Sequence, residues 1–327
     1  MRALAGLIPV GLGLVVAMTL SMPAQSQGKQ LAQANAALQA GEADKALTLL
    51  EPLAQPGGEA EAYNLRCRVE YTLEQWDRAT SDCEQAVKLD GQSSDDHMWL
   101  ARALGEKARR ASFLNAYSLA KRVRAEFEEA VRLNSRNARA LADLGEYYYS
   151  APGVVGGGIN KSETVAAELD RIDPARADEL RGRIAEQRKD YGTAEREYKQ
   201  AITASAQPAF QWMALASFYR ERQRWTEMES ALRSGESAAQ RDKQAGVALY
   251  NGASLLRDTG RDPARAVRML EEYLAGSAKT EEGPAFVAHV WLAQLKESLG
   301  DAAAASRERA AALALAQEYM PAHDLKY

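Results

Sequence analysis

The stretch Phe210-Gln211-Trp212-Met213-Ala214-Leu215-Ala216-Ser217-Phe218-Tyr219 decides the fold. Trp212, Leu215, Ala216 and Tyr219 fall three and four residues apart, so they share one face of a helix. Small Ala216 lets a second helix cross closely, and the large residues fill the space around the crossing. A bend follows at Arg222-Gln223-Arg224-Trp225, and Met228, Leu232 and Gly235 then recur at helical spacing in a second helix. The residues upstream repeat the template. Gly182 stands 34 residues before Ala216, Lys189-Asp190-Tyr191 makes the bend, and Ala194, Tyr198 and Ala201 mark the second helix. A pattern that returns at this period is a repeated helix pair.

The unit runs through most of the chain. Trp76-Asp77-Arg78-Ala79 leads to Cys83 and Ala86, and Gly41 to Ala46 leads to Leu50. Asp262-Pro263-Ala264-Arg265-Ala266 leads to Leu270, and Gly300-Asp301 to Ala305 and Ala312. Two first helices share a word, His97-Met98-Trp99-Leu100-Ala101 and His289-Val290-Trp291-Leu292-Ala293. The small first-helix positions are Ala34, Cys67, Ala101, Gly145, Gly182, Ala216, Ser254 and Ala293, in steps of 33, 34, 44, 37, 34, 38 and 39 residues.

A first helix of the form W-x2-L-small-x2-Y and a second of the form A-x3-Y-x2-A resemble the tetratricopeptide-repeat (TPR) family. The resemblance implies an all-α, right-handed α-solenoid of about eight helix pairs over residues 27–320, followed by a tail at 321–327. One hairpin cannot bury its apolar face alone, so neighbours must stack. Gly41, Asp44, Asp77, Asp190, Gly260 and Gly300 are expected at turns and caps. The helix from Ala302 to Tyr319, with Arg307, Glu308 and Arg309, is expected to end the array as a polar-backed cap.

Two segments depart from the template. Near 105–122 the third repeat has extra residues, in and beside which Lys107, Arg109, Arg110, Lys121, Arg122 and Arg124 accompany Phe113 and Tyr117. They form either a protruding basic-aromatic lip for a partner or two longer helices whose charges pair with Glu106, Glu126 and Glu128. Near 150–161 the run Ala151-Pro152-Gly153-Val154-Val155-Gly156-Gly157-Gly158-Ile159-Asn160-Lys161 separates the helices of the fourth repeat. A phosphate-binding loop needs Lys directly after the last Gly and a preceding strand, and neither is present. Gly156, Gly157 and Gly158 are instead candidates for contact with a partner, because long inserts in solenoids often meet ligands.

Composition agrees with an all-α chain: Ala, Leu, Glu and Arg dominate, and these are strong helix formers. With 41 Lys and Arg against 45 Asp and Glu, no global charge attracts nucleic acid, which is not expected as a partner. Arg2, an apolar run from Leu4 to Leu20, Pro23 and small residues through Ser26 predict a secretory signal over 1–26, cleaved after Ala24 or Ser26. The other reading, an uncleaved anchor, is weakened by Pro9 and by Gly6, Gly11 and Gly13. No later segment is apolar enough to span a membrane, so no stable span is expected after cleavage, and the expected location is periplasmic or secreted.

The only cysteines, Cys67 and Cys83, fall on facing helices of one hairpin. They are either two small core residues or a disulfide stapling the pair. His97 and His289 occupy an aromatic slot and read as packing residues. No HxxxH, CxxC or calcium-loop pattern supports a metal, and no nucleophile has an evident base, so neither cofactor nor catalytic residue is expected.

The resemblance implies binding of a protein or peptide on the concave face formed by first helices. Candidate partner-binding residues there are Asn64, Arg68, Met98, Arg102, Arg183 and Arg220. Asn64, Arg68 and Arg102 lie on adjacent repeats and are similar to, though fewer than, the set by which clamp-type TPRs grip a carboxylate. A peptide-binding scaffold is thus the leading expectation, and a small-ligand-binding partner of a transport system the alternative.

Overall fold

The computed structural model describes residues 24–326, so the candidate signal lies almost wholly outside the described residues; Ala24 to Ser26 already belong to the first helix. Eight antiparallel helix pairs follow one another. They are α1 (Ala24–Ala40) with α2 (Ala43–Leu50), α3 (Ala60–Thr72) with α4 (Trp76–Leu89), α5 (Ser94–Arg110) with α6 (Phe113–Leu133), and α7 (Ala138–Ser150) with α8 (Ile159–Leu169). Then come α9 (Pro174–Gln187) with α10 (Tyr191–Ala204), α11 (Ala209–Glu221) with α12 (Trp225–Arg241), α13 (Val247–Thr259) with α14 (Pro263–Ala275), and α15 (Ala285–Ser298) with α16 (Ala302–Leu315). A short α17 (Met320–His323) packs on α16. No strand occurs among the described residues. None of their helices is long and apolar enough to cross a membrane.

Small-against-large packing sets the hairpins. A Cβ added at Gly182 would lie 3.0 Å from the Tyr198 ring, and Tyr198 is fully buried. Ala34, Cys67, Ala101, Ala216 and Ala293 are likewise fully buried. The seventh repeat differs from expectation: Ser254 stays half-exposed, with its hydroxyl turned toward Asp258, and neighbouring Ala253 fills the crossing instead.

Six of the eight corners share one geometry. One or two residues after the first helix the chain takes a left-handed conformation, at Gly41, Glu74, Lys189, Gln223, Gly260 and Gly300. The next amide then reaches back five residues, as from Glu42 to the Ala37 carbonyl, Asp190 to Ala185 and Asp301 to Lys296. This closure satisfies carbonyls that the helix end leaves open. Asp190, Asp262 and Asp301 then cap the second helices by accepting amides three residues on. Asp44 and Asp77, expected as caps, sit inside the first turns of α2 and α4 instead.

The two corners outside this pattern are the two inserts. In the third repeat α5 and α6 are simply longer, 17 and 21 residues, and meet at Ala111-Ser112. Glu106 accepts from Arg109 and Arg110, Arg122 pairs with Glu84 and Lys107 with Asp77. Phe113 and Leu114 remain exposed at the tip. In the fourth repeat Gly153–Val155 forms one 3-10 turn.

Cys67 and Cys83 are joined, with Cα atoms 5.4 Å apart, which resolves the two readings in favour of a disulfide between α3 and α4.

The array curls until its ends meet. Asp44 accepts the Gln317 amide, Glu318 accepts from Gln75 and Arg78, and Tyr319 donates to Glu74. Buried residues of the first two hairpins, from Leu31 to Leu73, share one core with those of the last four. The C-terminal segment is therefore not the free cap expected from its polar residues. Superhelical rotation brings its end, Gln317 to Tyr319, onto α2 and the α3–α4 corner, while Glu308 pairs with His289 and Lys296 and Arg309 donates to the Ala322 carbonyl.

Candidate functional site

First helices line the inner face, and two cavities open there. The larger, about 870 Å³, lies between α9, α11 and α13 and reaches Trp291 of α15. Its apolar wall is Phe210, Met213, Tyr250, Leu255 and Trp291, with Tyr250 and Trp291 stacked at 4.3 Å between ring centres. Polar groups converge on it: Gln211 and Ser217 from α11, Asn251 and Ser254 from α13, Glu179 and Arg183 from α9. The Gln211 Oε1 is buried and has no hydrogen-bond partner among the described residues. Burial raises the Glu179 carboxyl, with Arg183 and Arg176 opposing the rise.

The smaller cavity, about 480 Å³, lies between α3, α5 and α7 around Trp99. Arg68, Arg102 and Arg139 place their guanidinium carbons 5.4, 4.7 and 5.5 Å from the Trp99 ring centre. Cations over an indole face are attracted by its quadrupole. Arg102 is also tied to Asp143 through two bonds of 2.6 and 3.2 Å. Between the cavities runs the α14–α15 connection, residues 276–284, whose Glu282 lines both.

The candidate residues divide on this face. Arg68 and Arg102 come together at Trp99, and Arg183 lines the larger cavity. Arg220 lines neither; it bridges to Glu221 and Asp258 along the rim. Two expectations fail. Met98 is fully buried, because its position on α5 points into the hairpin core rather than the groove. Asn64 is only 6% exposed, with its Nδ2 unpartnered.

The Gly-rich loop also differs from its expected role. The amides of Gly156, Gly157 and Gly158 donate to the carbonyls of Gly153, Pro152 and Tyr148, so none is left for a partner. Gly156 adopts φ 95°, and a Cβ at Gly157 would sit 1.8 Å from the Ala151 carbonyl oxygen. Lys161 folds back to donate to the Gly156 carbonyl, and the Tyr147 hydroxyl lies 2.9 Å from the Ala120 and Val155 carbonyls. The glycines serve a tight corner.

Sequence reading missed Arg139, Glu281, Gln211 and Asn251. Only the extra length between the seventh and eighth repeats hinted at the connection that carries Glu281. His97 and His289, read as packing residues, each place Nδ1 against a second-helix carboxylate, Glu126 at 2.6 Å and Glu308 at 2.7 Å.

The sequence matches no known family model and no curated protein. Among solved structures, it is similar to TTC0263, a thermophilic TPR protein in Thermus thermophilus, at 18% identity over 59% of this chain and 98% of that one, with TM-score 0.50. It is also similar to Pseudomonas aeruginosa pilF, at 14% identity over 80% of this chain and 95% of that one, with TM-score 0.39. The repeated hairpins, their shared corners and the likeness to the Thermus protein show that this chain has the tetratricopeptide-repeat fold.

Proposed function

We propose that this chain is a non-catalytic scaffold that takes an extended segment of a partner protein into the cavity between α9, α11 and α13. The observation that carries this reading is the pairing of Gln211 and Asn251 on neighbouring first helices above an apolar wall. A side-chain amide offers both a donor and an acceptor, and so matches both polar groups of a peptide backbone. Phe210, Tyr250 and Trp291 supply the surface for an apolar side chain of the same segment. The two cysteines are bonded to each other, so neither is a free nucleophile, and this supports the non-catalytic reading. The disulfide also supports work in an oxidising compartment, periplasmic or extracellular.

Peptides selected from a random displayed library should bind the chain and lose at least ten-fold in affinity to Gln211→Ala/Asn251→Ala, measured by calorimetry, with the circular dichroism unchanged. Equal binding to both proteins refutes the site. If no peptide is selected and native mass spectrometry instead shows a small-molecule adduct that the double variant loses, the chain is a small-ligand binder. The cavity volume lies within the range of such pockets. Thiol trapping in intact cells tests the compartment, since alkylation of Cys67 and Cys83 without prior reduction would contradict it.

A further inference from the structure

Glu281 comes from the α14–α15 connection yet is held by the second and fourth repeats. Its carboxylate accepts two bonds from Arg68, Nε at 2.8 Å and Nη2 at 2.9 Å, across 213 residues of sequence. Arg139 Nη2 lies 3.9 Å from Glu281 and 4.0 Å from Glu282. Glu281 is only 8% exposed. Two parallel bonds from one guanidinium are how arginine takes a carboxylate supplied by another molecule. Here the chain's own loop supplies it.

The cluster is not fully satisfied by that loop. Arg139 Nε and Nη2 are buried and lack hydrogen-bond partners among the described residues. Leaving buried donors unpaired is unfavourable. Burial, together with neighbouring Arg102 and Arg68, pushes the Arg139 guanidinium below its ordinary range despite Glu281 and Glu282. Beyond the arginines the loop is held by the Glu281 amide on Gln39 at 3.3 Å and by the Tyr273 hydroxyl, which donates to the Gly283 carbonyl and accepts from the Thr280 amide. Within the loop the Lys279 ammonium donates to the Gly276 carbonyl and the Glu282 and Gly283 amides donate to Thr280, and buried Gly283 packs on Val247 and Tyr250.

We infer that the α14–α15 loop is a competitor in cis: Glu281 occupies a site at Arg68, Arg139 and Trp99 that also takes an acidic peptide segment, and the segment must displace the loop to enter. A tethered carboxylate is presented at an effective concentration of order millimolar, so even a weak site is filled in the resting chain. A partner with two carboxylates competes by satisfying Arg139 as well as Arg68. Because Glu282 lines both cavities, displacement also removes the partition between them. This site does not rest on what fills the larger cavity, since Gln211 and Asn251 take no part in it.

The probe is a fluorescein-labelled peptide copying residues 278–286, read by anisotropy. Glu281→Gln/Glu282→Gln should bind it at least ten-fold more tightly than the unaltered chain. Adding Arg68→Gln/Arg139→Gln should return binding to the unaltered level, and a peptide with both Glu replaced by Gln should not bind. Equal affinity for the unaltered chain and the loop variant overturns the inference, as does a ten-fold tightening that survives loss of both arginines. Hydrogen exchange supplies a readout that needs no variant. Millimolar probe added to the unaltered chain should speed exchange across residues 277–283, and unchanged exchange there also overturns it.

Discussion

Reducing the bond between Cys67 and Cys83 perturbs the second hairpin without altering a single side-chain volume. The bond closes a 16-residue separation between α3 and α4. Treated as a constraint on the unfolded chain, a loop of that size contributes about 3 kcal/mol. The packing around it supplies a second reason to expect a clear effect. Elsewhere the same crossing is filled by a small residue against a large one, as Gly182 against Tyr198; here two fully buried sulfurs fill it together. For a cooperative unit of two or three repeats, about 3 kcal/mol lowers the melting temperature by about 12–24 °C. Stability in stacked repeats is close to a sum of local terms, so the loss should fall on the first three hairpins. Urea unfolding followed by tryptophan fluorescence reads this region once Trp212, Trp225 and Trp291 are replaced by Phe, since Trp76 and Trp99 lie in the second and third hairpins. The reduced and oxidised proteins are compared after one full unfolding cycle, because both sulfurs are buried. A difference below about 0.5 kcal/mol, or an equal response of Cys67→Ala/Cys83→Ala to the reductant, refutes the reasoning.

Burial, and then the charge of Asp82, raise the Glu70 carboxyl to about 8. A carboxyl raised in the folded state contributes stability below its unfolded value that is lost as pH climbs through the folded one. Glu70→Gln should therefore leave the melting temperature near pH 4 little changed and raise it at pH 9; a parallel pH profile for the two proteins contradicts this. Lys189→Gly should stabilise the fifth hairpin by about 0.5–1 kcal/mol in urea unfolding, because Lys189 stands at φ 59°, where a Cβ is strained and glycine is not.

What the sequence made legible was local. Trp212, Ala216 and Tyr219 in one helix, and Tyr198 against Gly182 across one hairpin, declare themselves by spacing because the partners lie within one repeat. The same holds for the inserts, which interrupt the period. The concave face was less legible. Arg68 and Arg102 were placed rightly on first helices, but Met98 turned inward, since a rotation of one helical position separates groove from core. Arg139 and Glu281 stayed hidden because their meeting depends on rotation accumulated over several repeats, which no short-range pattern encodes. The cysteine pair was visible as a pair, but whether it was bonded had to come from the 5.4 Å between Cα atoms.

The contact between the last and first hairpins changes the statistics of the whole stack. In an open row, unfolding that starts at an end breaks one interface for every hairpin it releases. With Asp44 on the Gln317 amide and Glu318 on Arg78, the terminal hairpins are neighbours as well, and the row becomes a loop in which each hairpin has two. Fraying has no free edge from which to start, and the first melted hairpin must break two interfaces at once. The molecule thereby gains a nucleation step for end-fraying that an open row of the same hairpins would lack.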